Sequence, residues 1–217
     1  MFKFKHVFVL VLATLMFVIG FAAVGGQSSS AQTIKFTSAM HTSKNLTYNG
    51  TIKYYVKADA KKYSPEITYA TKKWNRALGK NVFKRTTQIS HSRLVFTGTN
   101  KLGRNYAGVA EINSGVIALN TSWMSRYNQQ KRRAVVIHEL GHTFGTKDLY
   151  AYPNASLRNL FKKQTIMGGN YSTRIKSFDS KLAKWTLKKT RSMSQTEFRH
   201  YRSNAGLYYQ QMLTGRL

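Results

Sequence analysis

The sequence predicts an α+β fold in one domain, and three observations predict it. Short runs rich in β-branched and aromatic residues crowd the first half of the chain around a single amphipathic helix. The second half reads mainly as helix, opening on the apolar run Ala134-Val135-Val136-Ile137. Behind a hydrophobic N-terminus there remain residues 32–217, 186 of the 217, which is one domain's worth of chain and enough for a sizeable core.

Taken in order, Lys3, Lys5 and His6 precede an apolar stretch from Val7 to Val24. A Ser-rich segment follows, in which Ser29-x-Ala31 fits the small-x-small rule for cleavage, so residues 1–31 read as a signal peptide. The 18-residue stretch is also near the lower limit of a membrane span, and an uncleaved anchor is the alternative. Either way the body is exported, secreted or at the cell surface. Residues 32–49 are polar and read as a loose leader. The first strand is expected over 51–57. Ser64-Pro65-Glu66 is a helix start, with Ser64 as N-cap and Pro65 in the first position. Ile67, Ala70, Trp74 and Leu78 then recur at helical spacing until Gly79 closes the helix.

Residues 81–87 and 92–97 are short strand-like runs. Two more, 105–112 and 116–120, are joined by the turn signal Asn113-Ser114-Gly115. The second of these is expected at a sheet edge facing a cleft, where an extended peptide can add as another strand. A helix is expected from about Ser125–Asn128 to Phe144, a loop over 147–164, and a second core helix over 177–187 with Ser177 as N-cap. The tail, 191–217, is a basic extension. It carries Phe198, Tyr201, Leu207, Tyr208 and Met212, the pattern of a packed amphipathic helix or of a wall-binding segment.

Composition narrows the function classes. The chain has no cysteine, so no disulfide framework stabilises it and no thiolate serves as nucleophile or ligand. Export without cysteine points to a Gram-positive bacterium. Thirty-five basic residues against seven acidic ones give +28, and removing Lys3 and Lys5 leaves +26. Such a charge is either a solvated surface or an attraction to a polyanion, an anionic wall polymer or membrane surface. No nucleic-acid-reading motif is present, so no specific nucleic acid is expected, and the chain is expected to be a monomer. Seven acids are too few for a clustered calcium site.

Residues 138–148 read His-Glu-Leu-Gly-His-Thr-Phe-Gly-Thr-Lys-Asp. On a helix, His138 and His142 are four apart and project from one face, where two imidazoles can bind one metal ion. Glu139 stands beside the first ligand, placed to act on a water at such a metal. Random placement in a chain with this composition yields H-E-x-x-H about 0.003 times, so chance is a poor explanation. Gly145 can take the positive φ that ends the helix and turns Asp148 back toward the imidazoles. Two imidazoles and one carboxylate suit Zn²⁺ in an open tetrahedral site.

The segment resembles the signature of the metzincins, the clan of zinc endopeptidases that includes the matrixins, astacins and snapalysin. His138, Glu139, His142, Gly145 and Asp148 match it position for position, with Asp148 resembling the snapalysin variant. Met167, 19 residues after Asp148, falls where that clan has its Met-turn. The resemblance implies a twisted, mostly parallel sheet with an antiparallel edge strand, a zinc helix, a Met-turn and a C-terminal helix, with the catalytic domain over 50–190. It implies a zinc-dependent endopeptidase acting on a protein or peptide substrate, with His138, His142 and Asp148 as ligands of one catalytic Zn²⁺. Glu139 would be its general base and Met167 the apolar floor.

The chain departs from the clan at Gly169, where several members carry a tyrosine two residues past the methionine. Tyr171, four past, is the candidate for transition-state support in its place. Asp179 is an alternative third ligand, against its reading as an ordinary acid at a helix N-terminus. His41, His91 and His200 are scattered, so no structural zinc is expected. The competing function is a cationic cell-wall or surface-binding protein whose metal site is vestigial or structural.

Overall fold

The β-rich runs and the apolar run at 134–137 build a sheet with helices packed against it, as a computed structural model shows. The structure describes residues 34–204, 206, 207, 210 and 211. The expected signal peptide or anchor at 1–31 lies outside the described residues, as do Tyr208 and Met212. The fold is α+β. Strands β2 (Ile52–Val56), β3 (Phe83–Arg85), β4 (Leu94–Thr99), β5 (Gly108–Glu111) and β6 (Val116–Asn120) form a five-stranded sheet in the order β3-β2-β4-β6-β5. All pairings are parallel except β5 with β6. A separate two-stranded parallel sheet joins β1 (Lys44–Asn45) to β7 (Arg191–Ser192). Among the described residues no helix is long and apolar enough to cross a membrane.

Helix α1 (Ser64–Leu78) connects β2 to β3 and packs on α3 (Gln129–His142), with the short α2 (Thr121–Arg126) between β6 and α3. Trp74 fixes the α1–α3 contact: its Nε1 donates to Ile137 O at 2.9 Å, and its ring meets Phe144 edge-on at 5.0 Å. Gly79 ends α1 at φ +72, as the sequence indicates. Ser64, however, is the first residue of α1 and not its cap. A 3-10 turn over Ala58–Tyr63 runs directly into the helix, so the cap position falls at Tyr63. Pro65 is tolerated because its missing N–H lies in the first turn, where no helical partner exists.

Three further expectations are corrected. The edge strand is β5, and β6 lies inside the sheet. All five residues of β6 are buried, which suits a strand paired on both sides, whereas three of the four β5 residues are half-exposed. The expected loop 147–164 contains helix α4 (Ala155–Gln164), capped by Asn154, whose side chain accepts from Leu157 N at 2.9 Å. Residues 36–49 are no loose leader. Met40 and Leu46 are fully buried, and β1 is held by β7.

The same pairing ties the start of the C-terminal segment to the body. There α6 (Gln195–Ser203) buries Phe198 against the guanidinium of Arg93, 4.5 Å from its ring. Helix α5 (Ser177–Lys189) is as expected in place, but Ser177 is its first residue. Its capping carboxylate is Asp179, which accepts from Lys176 N at 3.0 Å.

Candidate metal centre

Helix α3 carries His138, Glu139 and His142. Asn128 caps it, accepting from Lys131 N at 2.9 Å, and the apolar run 134–137 buries it, so the face that bears the histidines is fixed in rotation. The helix ends at His142 and the turn after it closes on Gly145, whose φ is +86 and where an added Cβ would lie 2.8 Å from Lys44 O, so both conformation and space require glycine. The chain then reverses and returns Asp148 to the helix. Asp148 Oδ1 lies 3.0 Å from His138 Nε2 and 3.4 Å from His142 Nε2. The three ligating atoms are all within 4.8 Å of one another, and this group can hold a metal ion.

Each imidazole is oriented through its other nitrogen. His138 Nδ1 is 2.9 Å from Ile166 O and His142 Nδ1 is 2.8 Å from Thr146 O. A carbonyl oxygen only accepts, so both Nδ1 atoms carry protons, and Nε2 is the atom of each ring that faces Asp148 and is left to bind a metal once its proton is gone. Asp148 Oδ1 is enclosed, with the two imidazole Nε2 atoms as its polar neighbours. Three electron-rich atoms facing one point fit a cation. Burial disfavours the His138 imidazolium, but its hydrogen bond to Asp148 and the charges of Glu139 and Asp148 outweigh this and raise its pKa to about 9. Burial alone would raise the Asp148 pKa, yet the hydrogen bonds to both histidines hold it well below the usual carboxylate range. A cation entering the group therefore displaces a proton.

Glu139 lies against the edge strand. An added Cβ on Gly108 would lie 2.9 Å from Glu139 Cγ, so β5 approaches this closely only because it begins with glycine. Burial pushes the Glu139 pKa up, opposed by the charges of His138 and His142. Met167 is buried in the turn Ile166–Gly168, beneath the same helix face. An added Cβ on Gly141 would be 2.3 Å from its Sδ, so Gly141, next to His142 and one turn from His138, makes the room Met167 occupies.

The structure thus brings together His138, Glu139, His142, Asp148 and Met167. Tyr171 stands apart, 46% exposed at φ +51, with its hydroxyl 3.5 Å from that of Tyr127 and its ring 4.5 Å from Lys131 Nζ. It lines the same cavity as His138 but does not meet the ligands. The tyrosine nearest the group is Tyr150, which the sequence reading missed. Its ring stacks on that of His138 at 6.2 Å and 17°, and burial followed by the Asp148 charge pushes its pKa up. The available signal was its place two residues past Asp148, inside the loop that the motif folds back.

The Asp179 alternative is set aside. Its Oδ1 accepts from Ile166 N at 2.9 Å and its Oδ2 from Lys176 N, so both oxygens serve backbone amides and neither belongs to the metal group. Two cavities meet at His138 and Glu139: one of about 440 Å³ toward the Met167 turn, one of about 300 Å³ toward Asp148. Neither a protein-family model nor a curated protein matches the chain.

Proposed function

We propose that this chain is an extracellular zinc endopeptidase of metzincin type, with one catalytic Zn²⁺ held by His138, His142 and Asp148. One observation carries the reading. A buried carboxylate, Glu139, adjoins a three-ligand group that opens on a cleft bounded by the edge strand of the sheet. A structural site needs no such neighbour and is ordinarily closed by a fourth protein ligand. Bound zinc supplies a water of lowered pKa and a polarised carbonyl.

The residues of the chain do the rest. The outer edge of β5 binds an extended peptide as a further strand and lays the scissile bond across Glu139. Glu139 takes the proton of the attacking water and delivers it to the leaving amine. Its raised pKa suits both directions of transfer. Tyr150 offers a phenol O–H in both cavities beside the ligands and supports the carbonyl oxygen as it becomes negative. Met167 keeps the floor apolar. The N-terminal sequence supports export, and the cationic exterior suits retention on an anionic wall polymer.

The test pairs composition with activity. Elemental analysis of the dialysed protein should give about one zinc per chain. Cleavage of an unfolded protein substrate should vanish with a chelator and in Glu139→Gln, which keeps its zinc. A zinc-free protein, or undiminished cleavage by Glu139→Gln, overturns the reading.

A further inference from the structure

We infer that the cleft selects acidic polypeptide, with Lys162 and Lys147 as specificity-determining residues on the two sides of the scissile bond. The inference rests on the endopeptidase reading and adds the substrate class.

It follows from where the carboxylates are. The chain has seven acids, and five of them are taken up by partners outside the cleft. Asp59 accepts from Thr97 Oγ1 and Gly98 N, and pairs with Lys57. Glu66 is buried on Arg132 at 2.8 Å. Glu111 accepts from the backbone of Asn113 and Ser114 and from the Ser114 hydroxyl. Asp179 holds two backbone amides, and Glu197 bridges Lys44 and Arg191. Only Glu139 and Asp148 remain, and they are the only carboxylates lining the two cavities.

Each cavity carries one lysine. Lys162 lines the larger and Lys147 the smaller; both are exposed, and neither forms a salt bridge among the described residues. A divalent cation offsets Glu139 and Asp148, so the charge left in the cleft is that of the two lysines. Nothing nearby cancels it, and walls of protein concentrate the field toward an incoming chain. An acidic side chain on either side of the cut bond is attracted, and a basic one is repelled.

The experiment compares peptides of one sequence that differ only in carrying Glu, Gln or Lys on each side of the bond. Each exposed lysine–carboxylate contact contributes up to about fivefold, so wild type should favour the Glu peptide over Gln by about 10-fold or more in kcat/KM at low salt. The preference should shrink as salt screens it. Lys147→Glu combined with Lys162→Glu should reverse it. Lys72→Glu, on the exposed face of α1, changes net charge away from the cleft and should leave it in place. A binding arm keeps the result independent of turnover: the same peptides are titrated into zinc-loaded Glu139→Gln protein and their affinities ranked. Equal affinities for Glu and Lys peptides overturn the inference, as does an equal loss of preference in the Lys72 variant. Failure of the wild type to cut any peptide sinks the endopeptidase reading instead, and the binding arm still decides the preference.

Discussion

Removing the Asp179 carboxylate should destabilise the protein strongly while leaving its metal stoichiometry intact. The side chain is 2% exposed and holds Ile166 N at 2.9 Å and Lys176 N at 3.0 Å. A hydrogen bond to a charged group contributes about 1.5–3 kcal/mol, so Asp179→Ala forfeits about 3–6 kcal/mol and strands an amide in the core. At ~3 °C per kcal/mol for a domain of this size, the melting temperature of the metal-free protein should fall by about 9–18 °C. Asp179→Asn keeps one acceptor and should lose about half as much.

The metal is affected only indirectly. Ile166 also offers its carbonyl to His138 Nδ1, so loosening the turn should weaken metal affinity by about 10-fold without abolishing binding. Asp148→Ala should do the reverse, removing the metal with a smaller change in the melting of the chelated protein. The assay is circular-dichroism melting in chelator beside metal content after dialysis. Loss of metal in Asp179→Ala with an unchanged melting temperature would make Asp179 a ligand and refute the reasoning.

Four other outcomes are expected. Glu139→Gln should lower kcat/KM by about 10²–10⁴ with the metal content unchanged. Gly108→Ala places a methyl 2.9 Å from Glu139 Cγ and should reduce cleavage while metal content holds; an active variant would show that Glu139 need not sit where it does. In Gly141→Ala, better helix propensity contributes about 1 kcal/mol, but overpacking on Met167 Sδ costs about 1–3 kcal/mol. Lower thermal stability is therefore expected, with recovery in the Gly141→Ala, Met167→Ala double variant.

The fourth concerns acid. Hydrogen bonds from Arg191 and Lys44 hold the Glu197 pKa down to about 2, from an ordinary 4.5. A depressed folded-state pKa means that its stabilisation is present above 4.5 and is lost as pH falls toward 2. Wild type should therefore lose more melting temperature between about pH 5 and pH 3 than Glu197→Gln does. Equal losses would mean that the Lys44–Glu197–Arg191 cluster contributes nothing.

What the sequence discloses and what it conceals divide by range. The His138–Asp148 segment is legible because its geometry is local. A four-residue spacing on one helix and one glycine turn bring three ligands together, and no distant contact has to be known. Helix α1 and the hairpin of β5 and β6 are legible for the same reason. The edge assignment failed because which strand of a hairpin lies inside a sheet depends on β4, paired from Val95 to Thr99 with Val116 to Asn120, a non-local contact. The unbroken apolar run of β6 was the missed hint. Helix α4 was read as loop because Pro153 and Asn154 stand at its start and Asn159 within it, yet Asn154 is a cap and Leu157, Leu160 and Phe161 follow at helical spacing. Residues 36–49 read as leader because their polar surface hides Met40 and Leu46, which bond to Lys147 and Thr143, about a hundred residues away.

The two histidines differ in the same respect, and this has a consequence for the site. His142 is oriented by Thr146 O, four residues on, within the turn that Gly145 makes. His138 is oriented by Ile166 O, 28 residues on, and Ile166 is in turn held by Asp179, 13 further. One ligand therefore depends on local geometry that forms with the helix, the other on a relay of two hydrogen bonds that exists only when α5 has docked. Partial unfolding that releases α5 frees His138 while His142 and Thr146 stay in place. Metal loss should therefore follow the undocking of α5 and precede the melting of α3. Amide exchange in the metal-bound protein tests this: Ile166 N–H should exchange before the amides of α3, and the reverse order would break the relay.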